Sequence, residues 1–241
     1  MAGLKAIWAN YMRTREMLKV MPSASATGVR YAVKEGRLSR ADFQSIRRSK
    51  SDVAKLPPFI LLWCICGEFT PLVIVFVTGL VPRTLWIPKQ VQKAREKAEE
   101  RRKVIRREGM PEISTFFNKI VSSPPSPTSR EAYRYIAQSL GLYPAWWDRF
   151  APSLVPPGLV KQRVETRLVD LHADDFAIAR DGGVQNMSKD EVLMACEERG
   201  FSVLSKEDEI LRKGLEGWVQ DRTTQPPEAL VTRRVSEKAI H

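Results

Sequence analysis

The sequence predicts an all-α protein: a single transmembrane helix with a kink at Pro71, followed by a C-terminal helical domain. Three observations lead there. One apolar run, Phe59 to Val81, interrupts a chain whose mean hydropathy is otherwise slightly negative, at -0.29. From residue 129 onward, amphipathic segments open at a serine and stop at a glycine, as capped helices do. No stretch of any length alternates apolar and polar residues with the period of two that a half-buried strand requires.

Composition removes several classes of function. Three cysteines form neither a disulfide framework nor a metal-ligand spacing, and two histidines, His172 and His241, are too few for a zinc site. There is no glycine-rich phosphate loop and no nucleophile elbow. The expectation is therefore no enzyme, no catalytic residue, no metal and no cofactor. Asp174 and Asp175 beside His172 come nearest to acid/base chemistry, but adjacent acids at a helix turn read as caps.

The 39 Lys and Arg against 28 Asp and Glu give a net charge of +11, unevenly placed. Residues 1–55 carry 12 basic against 4 acidic side chains, residues 83–110 carry 10 against 4, and the rest from 111 carries 17 against 19. The surplus brackets the apolar run. That suits anionic lipid headgroups or a phosphate-rich partner such as ribosomal RNA; the plain alternative is a solvated basic surface.

Residues 1–55 read as basic N-terminal helices. In "AGLKAIWANYMRTREMLKV", Leu4, Trp8, Tyr11, Leu18 and Met21 fall on one helical stripe. The composition fits a mitochondrial targeting segment, and equally an amphipathic helix lying on a membrane. "GRLSRADFQSIRRSK" predicts a second short helix with Ser39 as N-cap, ending before Pro57 and Pro58.

Residues 56–88 hold the span and an interfacial break. The 23 residues Phe59–Val81 make a helix about 34 Å long, enough for a hydrocarbon core of ~30 Å. Trp63 and Trp86 stand near its two ends, as an aromatic belt would place them. Gly67 and Pro71 interrupt it. Pro71 cannot donate to the carbonyl of Gly67, so a kink is expected there, beside Glu68. An exposed charge at that depth costs on the order of 2.5–3.5 kcal/mol, so Glu68 must be protonated, paired, or turned toward protein. Two roles stay open: a structural acid bonded locally, or a proton- or cation-handling acid in an oligomer. Both flanks are basic, so charge does not orient the span.

Residues 89–121 predict a charged helix. Val91, Ala94, Ala98 and Ile105 follow a 3-4 spacing, but Arg101 falls on the seam, so a solvated helix is favoured over a coiled coil. Its Lys93, Arg95, Lys97, Arg101, Arg102, Lys103, Arg106 and Arg107 are the candidates for meeting a ribosome or a lipid surface. Residues 122–128, "SSPPSPT", form a linker by composition. The helical domain occupies 129–241. "SREAYRYIAQSLGL" and "SKDEVLMACEERGF" echo each other, and "SKEDEILRKGLEGWVQ" opens the same way. Between them "LVKQRVETRLVDLHADDFAIARDGG" supplies a helix and a turn at Gly182-Gly183.

In order, "LSRADFQSIRRSKSDVAKLPPF", "GEFTPL", "LVPRTL", "ISTFFNKI", "SREAYRYIAQSLGL", "DDFAIARDGGV", "SKDEVLMACEERGF" and "LRKGLEGWV" resemble the LETM-type ribosome-binding domain family of mitochondrial inner-membrane proteins. The resemblance covers roughly residues 5 to 230. It implies a single-pass inner-membrane protein with its C-terminal domain in the matrix. It also implies binding or tethering of the mitochondrial ribosome in support of membrane-protein biogenesis and cation homeostasis. A second implied activity is K⁺/H⁺ or Ca²⁺/H⁺ exchange by oligomerised spans, with the family's intramembrane acid carried onto Glu68. A third reading is a membrane-anchored adaptor for assembly or insertion factors. Expected partners are thus the mitochondrial ribosome, membrane lipid, a second copy of the chain, and inner-membrane assembly factors. The long presequence, distal coiled coils and calcium loop of larger members do not appear in the sequence, which fits a compact paralogue or a processed chain. Calcium binding is not inherited.

Overall fold

The computed structural model describes residues 2–19, 21, 23, 25–69, 86, 88–122, 130–143, 156–227 and 229–231. Among them every regular element is helical, and none is a strand. The chain divides into two units, residues 1–94 and 95–241.

In the first unit, α1 (Ala2–Lys19) and α2 (Ala26–Lys34) both pack on α3 (Arg40–Cys66). Ser25 caps α2 through the Gly28 amide at 3.0 Å. Ser39 accepts the Asp42 amide at 3.2 Å and donates to its carboxylate at 2.7 Å, the expected cap. Ile7, Val29, Val33, Leu38, Phe43 and Ile46 are buried. The stripe expected on α1 is only partly the inward one. Ile7 and Thr14 are buried, Tyr11 and Leu18 are half-buried, and Trp8 faces outward. The wheel explains this: the helix seats on the 7-11-14-18 line, and position 8 lies one step off it.

One expectation fails along α3. The helix does not stop before the prolines but runs through Pro57 and Pro58 to Cys66. Those prolines cost the bonds to the Val53 and Ala54 carbonyls, yet whole turns on either side hold the helix. It then ends at Gly67, whose φ of +51° is a left-handed conformation that glycine adopts without a Cβ clash. A 3-10 turn, Gly67–Phe69, follows. The break at Gly67 is one of the two interruptions expected; the other, Pro71, lies outside the described residues together with the rest of 70–81. Among the described residues, no helix is long and apolar enough to cross a membrane. The end of α3 nonetheless exposes Ile60, Leu61 and Ile65.

The unit boundary falls within α4 (Pro88–Ser122), which opens on a proline, the residue best tolerated at a first helical position. Of the linker expected at 122–128, Ser122 is instead the last residue of α4, and 123–128 lie outside the described residues. The second unit continues with α5 (Arg130–Ser139), α6 (Pro157–Arg180), a 3-10 turn (Val184–Asn186), α7 (Lys189–Glu198) and α8 (Asp208–Asp221). The echo seen in the sequence is structural at its glycine ends, while the first of its two opening serines, Ser129, lies outside the described residues. At the end of α5, Gly141 and Leu142 donate to Gln138 and Ala137; at the end of α7, Gly200 and Phe201 donate to Glu197 and Cys196. Ser188 closes a complete capping box with Glu191. The third opening differs: Ser205 does not cap α8 but sits in a turn at φ +55°, and the helix starts after Glu207 without a side-chain cap.

Tyr133, Ile136, Ala137, Val160, Val164, Leu168, Trp218, Leu230 and Val231 make one core, from α5, α6, α8 and the segment after it. A second joins Ile178, Val184, Val192, Ala195, Cys196, Val203, Leu211 and Leu215 around α7 and α8. Phe201 and Val219 touch both.

Candidate functional site

The second unit is organised around a buried charged group. α6 ends with Asp174 and Asp175 facing inward, set there by the apolar line Val160-Val164-Leu168-Leu171 that seats the helix. Arg199, at the C-terminus of α7, reaches them with a side chain of 0% exposure. Its Nη2 lies 2.8 Å from Asp174 Oδ2 and 2.5 Å from Asp175 Oδ1, its Nε 3.1 Å from Asp175 Oδ1, and its Nη1 donates to the Ala195 carbonyl at 2.9 Å. Trp218 Nε1 donates to the Asp175 carboxylate at 3.1 Å. Arg222 Nε stands 3.4 Å from Asp175 Oδ2, and its Nη2 donates to His172 Nδ1 at 2.6 Å. Burial opposes a charge on Arg199, but Asp175 and then Asp174 outweigh it and hold the guanidinium above its ordinary range.

Two carboxylates meet two guanidiniums, so the group is balanced, as a buried set must be. This corrects the reading of Asp174 and Asp175 as caps. They bind no helix N-terminus; they tie α6, α7 and α8 together. The arrangement offers no acid/base chemistry either, since both acids are enclosed and ion-paired. Sequence reasoning missed Arg199, whose partners lie 24 and 25 residues away with no local signal. Among the described residues, no group of three or more His, Cys, Asp or Glu side chains is arranged to hold a metal.

The basic candidates on α4 divide between two faces. Arg95 pairs with Glu197, Arg101 Nη1 donates to the Tyr143 carbonyl at 2.6 Å, and the buried Arg102 donates to the Phe201 carbonyl at 3.3 Å. Glu99, also buried, accepts the Val203 and Leu204 amides at 2.6 and 2.9 Å. Ile105 packs on Tyr135. From Arg95 to Ile105, then, α4 is docked rather than solvated. Its charged residues do this because their long stems cover apolar surface while their heads satisfy loop carbonyls and amides. Lys93, Lys97 and Lys103 face outward with Glu96 and Glu100, a mixed surface rather than a basic one. Arg106 and Arg107 belong to the helix, but their side chains lie outside what is described. Glu68 is exposed in the 3-10 turn after Gly67.

The fold and its charged centre thus define a helical unit closed around a buried ion cluster. Residues 152–234, about a third of the chain, are similar to the family model described as LETM1-like, RBD. That segment holds α6, α7, α8, Asp174, Asp175 and Arg199. Comparisons with curated proteins and with solved structures return no match.

Proposed function

We propose that this chain is a membrane-anchored, non-enzymatic protein of the mitochondrial inner membrane whose C-terminal unit binds the mitochondrial ribosome. The observation that carries this is the family match over residues 152–234, which coincides with the α6–α8 assembly closed around Arg199. The apolar run at 59–81 supplies the anchor, and its described beginning already presents Ile60, Leu61 and Ile65 outward. In this reading the protein holds ribosomes near the bilayer, which supports insertion of new membrane proteins and, indirectly, cation homeostasis. The test is co-sedimentation of the purified full chain with mitochondrial ribosomes; no association even at low salt would overturn it. Resistance to alkaline carbonate extraction from mitochondria tests the anchor separately.

One observation favours a second reading, cation/proton exchange by oligomerised spans. α3 breaks at Gly67 inside the apolar run, directly before Glu68, the kind of helix interruption that ion sites within membranes use. Ion flux in reconstituted vesicles decides it, and equal flux for wild type and Glu68→Gln would count against it.

A further inference from the structure

α1 turns its expected apolar stripe only partly inward, and what it presents to the outside is a second, different face. Lys5, Trp8, Met12, Arg15 and Lys19 follow one another by 3, 4, 3 and 4 residues, which places them on one side of the helix. All five are exposed, with Trp8 at 63% and Met12 at 39%. The buried Ile7 and Thr14 lie on another side of the helix, which packs on α3. Trp8 is steadied by Tyr11, with ring centroids 5.8 Å apart, but is not covered by it.

We propose that this face of α1 is a docking surface for the anionic phospholipid headgroups of a bilayer. A tryptophan left two-thirds open is costly in water, and its amphipathic ring is suited to the headgroup level. Three cations surround the two apolar side chains, the pattern by which interfacial helices combine apolar insertion with attraction to acidic lipid. Glu16 is exposed on the flank of the face. Arg13 is turned away to Asp42, at 3.7 Å. The unit as a whole is complementary to such a surface: residues 1–94 hold 15 Lys and Arg against 5 Asp and Glu. Lipid is favoured over RNA because the centre of the face is apolar, and because α3, on which α1 packs, ends in the exposed Ile60, Leu61 and Ile65. The inference deepens the membrane-anchored reading and rests on it for the presence of a bilayer.

The test uses the full chain with vesicles of brominated phosphatidylcholine, with or without cardiolipin. The quenching due to Trp8 is the difference between wild type and Trp8→Phe. The expected result is Trp8 quenching in the cardiolipin vesicles, little in the neutral ones, and its loss in a Lys5→Glu/Arg15→Glu/Lys19→Glu variant. Quenching of Trp8 that is absent, or equal in both vesicles and unmoved by the charge reversals, overturns the proposal. So does a charge-reversal variant that loses ribosome co-sedimentation while its vesicle quenching is unchanged, which would assign the face to RNA. Carbonate extraction of the same variants reports the span independently, so failure of the anchor and failure of the α1 surface are told apart.

Discussion

At Arg199 the second unit concentrates its electrostatic risk in one side chain. Removing it leaves Asp174 and Asp175 enclosed, with Trp218 and Arg222 remaining as partners of Asp175. Breaking a buried pair in this way costs about 3–5 kcal/mol, because a buried charge is left without its counter-ion. Arg199→Met is therefore expected to destabilise the full chain by about that amount in urea unfolding followed by circular dichroism. Adding Asp174→Asn and Asp175→Asn should recover part of the loss, since no carboxylate charge then remains. Pure packing loss at Arg199 would show no such recovery. The guanidinium's raised value means its stabilisation is complete below the ordinary arginine range and lost only as pH rises above it. Arg199 thus contributes no loss of stability anywhere near neutral pH.

Among the elements, α4 separates what local pattern can reveal from what it cannot. Its helical character was legible, as were Ser39, Ser188 and the glycine stops at 141 and 200, because each is decided by residues within one turn. Its inward face was not legible. Glu99 and Glu100 are neighbours of identical chemistry, and only contacts about a hundred residues away distinguish them. The same holds for Asp174 and Asp175, whose partner is on another helix, and for α3, whose passage through Pro57 and Pro58 reverses the local preference. The contrast gives a matched test. Glu99→Ala removes the acceptor for two loop amides and should cost about 1–3 kcal/mol, with faster hydrogen exchange at Val203 and Leu204. Glu100→Ala, on an exposed side chain paired with Lys103, should stay within about 0.5 kcal/mol and leave those amides protected. Equal effects of the two would mean that α4 is not docked through Glu99.

Over the whole molecule, the charge is divided in a way that the sum of +11 conceals. Residues 1–94 hold 15 basic against 5 acidic side chains, whereas residues 95–241, which include the family-matched segment, hold 24 against 23. Counter-ion release scales with the number of phosphates neutralised, so the first unit, whose cations face few competing acids, is expected to carry the larger share of the salt dependence. In co-sedimentation of the purified chain, where no bilayer separates residues 1–55 from the ribosome, the salt sensitivity belongs to the first unit and the specificity to the second. Replacing Lys34, Arg37, Arg48 and Lys50 with Gln should flatten the decline of co-sedimentation with KCl, by a log–log slope of roughly 0.9 for each phosphate that is no longer neutralised. All four are exposed and lie outside the α1 face. The matched variant in the second unit replaces the exposed Lys161, Lys189, Lys206 and Lys213, and should leave the slope nearly unchanged. The reverse outcome, a slope that follows the second set alone, would place the phosphate-binding cations on the family-matched unit despite its balanced charge. Its specificity would then rest on a local concentration of lysines rather than on a neutral recognition surface.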